Sequence, residues 1–374
     1  MISLSRLSFA LSALLFAGFT ATTSFAATTH RHHAAPHAHV IAKKKKLTRK
    51  PRSVHRATPA VAASKLPDAK RRAKQTKRAK PRHTPHDVPR NVVQIAPPSR
   101  ASHSAPAKSA ASSPRLLARC GFTMASRTRL FSRAVYIVDE PTHTQLYARN
   151  ADHVVPIASV SKLMTAVVWL DQRNAPLAQR IGVTSADLDT LKFTTSRLTV
   201  GSNLTRADML HIALMSSENR AAAALSRDYP GGRPAFVAAM NAKARSLGMP
   251  HTHFVNATGL SPQNVSTARE LANLVRAADA YPLIRRYSTD NEQRVPTGHG
   301  QLQYVSSNRL VRYGRVQASV QKTGFINESG HNMVLRMMVH GRRPVIVTML
   351  DSASAEGSRL DGERIAHWLN CSLR

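Results

Sequence analysis

Ser159 and Lys162 have the residue types and the spacing for nucleophilic catalysis. The surrounding pattern predicts a helix over residues 159–170, so these two side chains, three positions apart, project from one face. A serine in the first turn lies near the positive end of the helix dipole and near unpaired backbone N–H groups. A lysine kept neutral by burial or by a neighbouring cation can take the serine's proton. The pair therefore predicts a serine nucleophile with a lysine general base.

Two further motifs are expected to complete this site. They are Ser217-Glu218-Asn219, at the end of a predicted helix, and Lys322-Thr323-Gly324, expected to follow a strand. Ser217 would pass a proton to the leaving amine, and Asn219 would orient the substrate or Lys162. Lys322 would be the cation that lowers the pKa of Lys162, and Thr323 would bind a substrate carboxylate or carbonyl. Each motif alone is a weak signal, but their order and placement favour acyl transfer.

Backbone groups are predicted to stabilise the oxyanion of such a reaction. The expected donors are the N–H groups of Ser159 and Phe325, the latter directly after Gly324. Each donor of this kind lowers the barrier by roughly 3–4 kcal/mol. No metal or organic cofactor is required by this chemistry.

The elements that position these motifs are strands at both ends of the folded part and helices between them. Residues 134–138 and 145–148 predict a hairpin, and capping patterns predict helix starts at Thr205 and Thr267. Further helices are predicted over residues 220–226, 234–247 and 360–369, and strands over 316–320, 333–339 and 344–350. His331 and Asn332 are interpreted as the polar start of a strand. This order predicts a mixed α/β (α+β) fold, with one sheet built from both termini and a helical insert.

Residues 1–26 have the pattern of a secretory signal peptide. Arg6 precedes an apolar run at residues 7–19, and Ser24 and Ala26 supply small side chains before a cleavage site. A run of 13 residues is shorter than the span of about 20 that a bilayer requires. We therefore predict export to the periplasm with cleavage of this segment. An uncleaved amphipathic anchor is the alternative.

Residues 27–118 differ sharply in composition from the rest of the chain. They contain 22 Lys and Arg residues against two acidic ones and are rich in Ala, Pro, His and Ser. Such a segment buries too little apolar surface to offset its ordering entropy, so a disordered basic tail is predicted. Residues 119–374, with 31 basic and 18 acidic residues, are long enough to form one catalytic domain.

The charge of the tail predicts an anionic partner. An exported chain is expected to meet wall polymer, lipopolysaccharide or phospholipid head groups, and not nucleic acid. The histidine-rich tract at residues 31–39 is expected to bind metal loosely at most, so no metal site is predicted. A solubilising or spacer role is the alternative.

Cys120 and Cys371 are the only two cysteines, and they stand at opposite ends of the folded part. An oxidising compartment permits a disulfide between them. Two unpaired thiols are the alternative that the sequence leaves open.

The three motifs together resemble those of penicillin-binding proteins and class A β-lactamases. The resemblance extends from about residue 130 to the C-terminus and is strongest among the low-molecular-weight D-Ala-D-Ala peptidases of family S11. Ser217-Glu218-Asn219, followed by Tyr229-Pro230-Gly231-Gly232, resembles the D-alanyl-D-alanine endopeptidase subgroup (penicillin-binding protein 7 type). The other stretches that carry the resemblance are residues 156–165, 214–222, 239–241, 258–261, 264–268 and 322–325.

This resemblance implies the serine β-lactamase/penicillin-binding fold, an antiparallel sheet flanked by helices with a helical lobe. It implies acylation of Ser159 by peptidoglycan peptides and by β-lactam antibiotics, with Lys162 and Ser217 acting in catalysis. Substrate binding would fall to Asn219 and residues 322–325. The implied function is hydrolysis of D-Ala–diaminopimelate cross-links.

Three alternative functions differ in the substrate or in the chemistry. A D-Ala-D-Ala carboxypeptidase would share the acyl chemistry, and a non-catalytic wall-binding protein would share only the fold. A β-lactamase is disfavoured because Glu270-Leu271-Ala272-Asn273 misses the spacing of a water-activating Glu-x-x-Leu-Asn element.

Overall fold

The computed structural model describes residues 113–172 and 176–374 of the 374-residue chain. The predicted signal peptide and residues 27–112 of the predicted tail lie outside the described residues. Residues 113–118, predicted as the end of the tail, instead pack against the domain, because Leu116 is buried in the core beneath the C-terminal helix and the Leu117 N–H donates a hydrogen bond to the Ser372 hydroxyl. In the part that is described, no helix is both long enough and apolar enough to cross a membrane.

The described residues form strands and helices in the order that the sequence predicts, with several additions. The strands are β1 (Ser132–Asp139), β2 (Thr144–Arg149), β3 (Val155–Pro156), β4 (Arg180–Gly182), β5 (Asn203–Thr205), β6 (Val265–Ser266), β7 (Glu292–Pro296), β8 (Gln301–Val305), β9 (Ala318–Ile326), β10 (Gly330–Val339) and β11 (Arg343–Ser352). The α-helices are α1 (Met124–Thr128), α2 (Ser161–Leu170), α3 (Arg206–Met215), α4 (Asn219–Asp228), α5 (Gly232–Ser246), α6 (Ala268–Asp279), α7 (Pro282–Thr289), α8 (Arg309–Arg312) and α9 (Ala355–Ser372). Short 3₁₀ turns are Ala118–Cys120, Ala158–Val160 and Ser185–Asp187.

The main sheet has five strands in the order β2-β1-β11-β10-β9, and every neighbouring pair is antiparallel. Successive side chains of a strand point to opposite faces. Tyr136 and Val138 accordingly face the core under the helical lobe, whereas Val135 and Ile137 face the core under α9. Helices therefore cover both faces, and the predicted fold class is confirmed.

The helix α2 lies at the centre of the lobe. A single apolar stripe on this helix is what the sequence predicts, but every residue of Ser161–Trp169 is buried. The helix is surrounded on all sides by other elements, which include α3, α5 and α6. Its start also differs from the prediction, because residues 158–160 form a 3₁₀ turn before the first α-helical turn.

Both predicted capping boxes form only in part. The Thr205 and Thr267 side chains accept hydrogen bonds from the third helical N–H group, as predicted. In a full capping box, the N–H group of the cap residue would also donate a hydrogen bond to the acidic side chain. Here each acidic side chain accepts other hydrogen bonds instead. Asp208 accepts from the Thr205 hydroxyl, and Glu270 accepts from the His251 N–H and the Thr252 hydroxyl. The Asp208 carboxylate is thus bound by the hydroxyl of its own cap residue, whereas the Glu270 carboxylate is bound by a distant segment.

The predicted end of a strand at residue 320 is wrong. The strand β9 continues to Ile326, so Lys322-Thr323-Gly324 lies inside a strand instead of following it. The polar residues ended the apolar run in the sequence, but their backbone still pairs with β10 from residue 322 to residue 326. The hairpin of β7 and β8 was not predicted, although Thr297-Gly298-His299-Gly300 separates two short stretches of strand-forming residues.

The two ends of the domain are joined covalently and by hydrogen bonds. A disulfide links Cys120 to Cys371, 251 positions apart, which answers the question that the sequence left open. Asp361 on α9 is fully buried and accepts hydrogen bonds from the backbone N–H groups of Phe131 and Ser132 and from the Ser132 hydroxyl. The beginning of β1 is thereby fixed against the last helix.

Removal of the disulfide is expected to destabilise the domain without altering its fold. The Cys120→Ser/Cys371→Ser variant should lose about 2–5 kcal/mol of unfolding free energy, because the unfolded chain regains the freedom of a long loop. Urea unfolding followed by circular dichroism measures this difference. Reductant should lower the stability of the wild type to that of the variant and leave the variant unchanged. Two free thiols in the native, unreduced protein would contradict the linkage.

Candidate active site

Ser159 lies in the 3₁₀ turn at the start of α2, at the base of a cleft, with 8% of its surface exposed. The preceding Ala158 has φ of +48°, a left-handed conformation that is rare for residues other than glycine. Its carbonyl oxygen accepts a hydrogen bond of 2.8 Å from the Ser161 hydroxyl, which holds the turn. Such strained backbone is concentrated at functional sites.

Two glycines allow other segments to approach this turn. A Cβ atom at Gly259 would lie 1.9 Å from the carbonyl oxygen of Ala158. One at Gly324 on β9 would lie 2.9 Å from the backbone nitrogen of Ser159. Any side chain at these two positions would push the segments apart, so glycine is required for the close packing around Ser159.

Lys162 projects from α2 towards Ser159, as the spacing predicts. Its Nζ donates hydrogen bonds to Ser159 Oγ at 2.7 Å, to Asn219 Oδ1 at 2.8 Å and to the carbonyl oxygen of Thr258 at 2.6 Å. The side chain is 1% exposed. The amine is therefore held by three acceptors from three separate segments, one of which is the nucleophile itself.

Burial lowers the pKa of Lys162 from 10.5 to about 7, against the opposing attraction of the Glu218 carboxylate. Burial is one of the two causes that the sequence predicts for this lower pKa, and it is the largest. Burial also lowers the pKa of Lys322 well below its usual value, and repulsion from Lys162 lowers it further. A fraction of Lys162 is consequently neutral near pH 7 and able to accept a proton.

The second motif forms the connection between α3 and α4. Ser217 lines the cleft and has φ of +64°, again in the left-handed region. Glu218 caps α4 and accepts hydrogen bonds from the Arg220 N–H at 3.2 Å and from the Ser196 hydroxyl at 2.6 Å. Among the described residues, no hydrogen bond joins the Ser217 hydroxyl to Lys162. Ser217 thus belongs to the cleft without contacting the amine directly.

The third motif forms the opposite wall. Lys322 is fully buried and donates a hydrogen bond of 2.7 Å to the carbonyl oxygen of Thr323. The Thr323 hydroxyl lies 2.7 Å from the Ser307 hydroxyl. Phe325 is 50% exposed, and its ring stacks on His331 with a centroid distance of 4.2 Å.

All three motifs meet in one cleft of about 300 Å³ between the helical lobe and the edge strand β9. Of the eight predicted site residues, six line it directly, while Lys162 and Lys322 lie behind its surface. The lining residues are Ser159, Thr194, Ser217, Asn219, Leu260, Ser307, Asn308, Arg309, Thr323, Gly324, Phe325, His331, Asn332, Met333, Ala355, Ser358 and Arg359.

Several contacts of the site were not predicted from the sequence. Lys162 donates a hydrogen bond to the carbonyl oxygen of Thr258, which is a backbone group and so has no sequence signal of its own. The only sequence hint is the adjacent Gly259, which permits close packing against Ala158. Thr194 accepts a hydrogen bond of 3.0 Å from Asn219 Nδ2 and so orients the amide towards Lys162. Asn332 bonds the Pro156 carbonyl oxygen and the Asp351 N–H. These contacts join backbone segments, in keeping with its interpretation as a structural residue.

Comparisons with known proteins identify relatives of this chain. Residues 122–354 match the peptidase S11 family, described as D-alanyl-D-alanine carboxypeptidase. A D-alanyl-D-alanine endopeptidase of Pseudomonas aeruginosa is 44% identical over 242 residues, which is 64% of this chain and 77% of that protein. One of Escherichia coli K12 is 43% identical over 249 residues, 66% of this chain and 80% of that protein.

The solved structure of the Streptomyces K15 DD-transpeptidase has the same fold. It superposes with a TM-score of 0.59 at 27% identity and covers 64% of this chain and 97% of that one. The predicted family, the fold class and a serine DD-peptidase acting on peptidoglycan are thereby confirmed. The chain belongs to the peptidase S11 family.

Proposed function

We propose that this S11 peptidase is an exported DD-endopeptidase that hydrolyses D-Ala–diaminopimelate bonds in peptidoglycan cross-links. The observation that carries the chemistry is the hydrogen bond of 2.7 Å between Lys162 Nζ and Ser159 Oγ, made by a buried amine. The names of the two endopeptidase relatives support the choice of substrate.

In the acylation step, neutral Lys162 takes the proton of the Ser159 hydroxyl. The Ser159 Oγ then attacks the carbonyl carbon of the D-Ala residue in the D-Ala–diaminopimelate bond. The hydrogen bonds from Lys162 to Asn219 and Thr258 keep the amine aimed at Oγ, so little reorganisation precedes proton transfer. The negative charge that develops on the carbonyl oxygen needs nearby donors.

The backbone N–H groups of Ser159 and Phe325 are proposed as these donors. The support is the close approach of β9 to the 3₁₀ turn, which the absence of a side chain at Gly324 permits. Donors fixed by a strand and by a helix start need no rearrangement as the charge forms, which is the property that makes an oxyanion hole effective.

Collapse of the tetrahedral intermediate breaks the C–N bond and releases the amine of the second stem peptide. The proton taken by Lys162 returns to this amine, and Ser217 is proposed to carry it because its hydroxyl lines the same cleft. Water then attacks the ester on Ser159 with Lys162 again acting as the base. The products are two separated stem peptides and free enzyme.

Thr323, together with Ser307, is proposed to bind the carboxylate next to the leaving nitrogen. The two hydroxyls are 2.7 Å apart and both line the cleft, so either can donate to a substrate oxygen. Lys322 supplies positive charge from beneath this wall in the fraction of molecules in which it is protonated. Asn219 also faces the cleft and can bind the substrate amide beside Lys162.

A DD-carboxypeptidase is the second candidate. The description of the matching family favours it, and the acylation step would be identical. The two functions differ only in what leaves, a single D-Ala or a whole stem peptide. The test must therefore compare both substrates.

The proposed catalytic domain was predicted over residues 119–374 and is extended here to include Leu116 and Leu117, which pack on α9. The family match spans residues 122–354 of it. The disulfide that joins Cys120 to Cys371 supports these boundaries, because it makes both extensions part of the domain. Periplasmic location and attachment of the basic tail to an anionic wall or membrane surface complete the proposal. Their support is the sequence of residues 1–118.

Benzylpenicillin should acylate the wild-type protein but not the Ser159→Ala variant. The ring carbonyl of the antibiotic resembles that of D-Ala-D-Ala, and its ester on Ser159 should hydrolyse slowly enough for intact-mass analysis. The wild type should also convert cross-linked muropeptide dimers into monomers. The Ser159→Ala variant should cleave these dimers at least about 10³-fold more slowly.

Ser246→Ala is the matched control for this experiment. Ser246 is exposed at the end of α5, where its hydroxyl bonds the Lys243 carbonyl oxygen, so the variant removes a serine hydroxyl without altering the turn around Ser159. It should retain the penicillin adduct. Folded wild-type protein without an adduct would refute the acyl-enzyme mechanism, and cleavage of pentapeptides but not of dimers would favour the carboxypeptidase.

Acylation by benzylpenicillin should depend on pH through Lys162. The neutral amine is the base, so the rate should rise with pH and level off above an apparent pKa of about 7. Below that value it should fall about tenfold per pH unit. Stopped-flow or quenched-flow mass analysis between pH 5 and pH 9 measures the profile.

The Glu218→Gln variant should shift this pH–rate profile in a defined direction. The Glu218 carboxylate raises the pKa of Lys162, so its neutral isostere should move the midpoint to lower pH. A rate independent of pH over this range would exclude Lys162 as the titrating base.

Deletion of residues 27–112 should weaken binding to isolated cell wall at low ionic strength. The segment carries 21 basic and two acidic residues, a net charge of +19, and screening by salt should remove the difference between the full-length and truncated proteins. Co-sedimentation at increasing NaCl concentration measures this effect. Equal binding of the two proteins at low salt would exclude the attachment role.

A further inference from the structure

A second concave pocket, of about 170 Å³, lies beside the catalytic cleft. It is formed by α8, the turn that follows it and one face of α9. Its lining residues are Arg309, Leu310, Tyr313, Arg315, Arg359 and Glu363. Arg309 and Arg359 also line the catalytic cleft, so the two cavities adjoin. We call this cavity the arginine pocket.

The backbone around the arginine pocket is closely constrained. After α8 the chain turns back through Gly314, which has φ of +62°, and the Arg315 N–H donates a bond of 2.8 Å to the Leu310 carbonyl oxygen. Leu310 is fully buried against Gly362 of α9, where a Cβ atom would lie 2.4 Å from Leu310 Cδ1. The backbones of Arg309 and Arg315 are therefore held at fixed positions relative to α9.

The arginine pocket contains more basic than acidic side chains. Arg359 is bound by the carboxylates of Glu356 and Glu363. Arg309 and Arg315 are exposed, and within residues 113–172 and 176–374 neither guanidinium has a hydrogen bond or an ion pair. Both acidic groups nearby are already engaged by Arg359. Arg309 also attracts the Glu356 carboxylate without an ion pair. Three guanidinium groups therefore face two carboxylates, and the pocket has an excess of positive charge, with Arg309 and Arg315 open to solvent.

The position of the arginine pocket relates it to the leaving side of the substrate. Thr323, bonded to Ser307, is the proposed ligand of the carboxylate beside the scissile nitrogen. Arg309 follows Ser307 by two residues and lies in the wall shared with the arginine pocket. A leaving group that continues past this carboxylate along the shared wall would meet Arg309, and Arg315 lines the adjoining pocket.

Only one of the two candidate substrates extends so far. In a carboxypeptidase reaction the leaving group is a single D-Ala, which ends at the carboxylate. In an endopeptidase reaction it is a whole stem peptide, which carries further carboxylates of its own. Guanidinium groups bind carboxylates with paired, charge-assisted hydrogen bonds.

We propose that Arg309 and Arg315 form a binding site for a carboxylate of the leaving stem peptide and thereby favour cross-linked substrates. The inference rests on the proposed function and deepens it, because it assigns the endopeptidase preference to named residues. The site distinguishes substrates by their leaving group during acylation, and it contributes no group to the proton transfers at Ser159.

The test compares two purified muropeptides, a cross-linked dimer and a monomeric pentapeptide. In Arg309→Ala/Arg315→Ala the ratio of kcat/KM for the dimer to that for the pentapeptide should fall about tenfold, mainly through KM, since two partly exposed ion pairs are lost. Arg315→Ala alone should lower the ratio about threefold. The number of active sites is set by titration with benzylpenicillin, and thermal melting checks folding.

Two controls separate recognition of charge from general damage. Arg342→Ala removes an equally exposed arginine from the turn between β10 and β11, at the other end of these strands, and should leave the ratio unchanged. A dimer whose leaving stem has amidated carboxylates should be cut equally well by the wild type and the double variant.

The outcomes distinguish this proposal from the proposed function. If the wild type cuts dimers and the double variant retains the same ratio, the arginine pocket has no role and the endopeptidase assignment stands. If the wild type is acylated and cuts pentapeptides but not dimers, the endopeptidase assignment fails and the site falls with it. A lowered ratio with amidated dimers as well would also overturn the carboxylate site.

Discussion

The burial of one lysine amine against one serine hydroxyl is the constraint on which this structure depends. An amine with a pKa near 7 resists protonation relative to an unfolded lysine, which costs on the order of 5 kcal/mol of stability. This cost is present in full below about pH 7 and declines as the pH rises towards the ordinary value of lysine. The rest of the fold must offset it, and a large core on both faces of the sheet is available to do so.

The same constraint explains why strain is concentrated around Ser159. The acceptors of Lys162 come from the start of α2, from Asn219 on α4 and from the loop that contains Thr258. To bring these segments within hydrogen-bond distance, Ala158 and Ser217 adopt left-handed conformations. Each such residue costs about 1–3 kcal/mol and persists only where its surroundings determine it. Local backbone strain is therefore the energetic cost of holding the nucleophile pre-organised.

Patterns that depend on local chemistry could be predicted from the sequence. The hairpin of β1 and β2, the end of α5 before Gly248 and the pairing of β10 with β11 follow from alternation, turn residues and a left-handed glycine. What could not be predicted depends on distant partners. The extension of β9 through Lys322 needs β10 beside it, and the use of Glu270 by His251 and Thr252 needs a segment about 20 residues earlier. A backbone acceptor such as the Thr258 carbonyl oxygen has no side-chain identity by which to recognise it.

The strand order β2-β1-β11-β10-β9 has a consequence for when the enzyme becomes competent. Ser132 pairs with Ser352, so the fold has a high contact order, and β9 joins the sheet only through two strands that lie later in the chain. A nascent chain that emerges N-terminus first carries Ser159 early but lacks the neighbours that hold Lys322 and Gly324 opposite it. The hydrolytic centre is consequently assembled last, after β10 and β11 are available. A chain that ends before β10 is therefore expected to lack the ordered wall that carries Lys322 and Gly324.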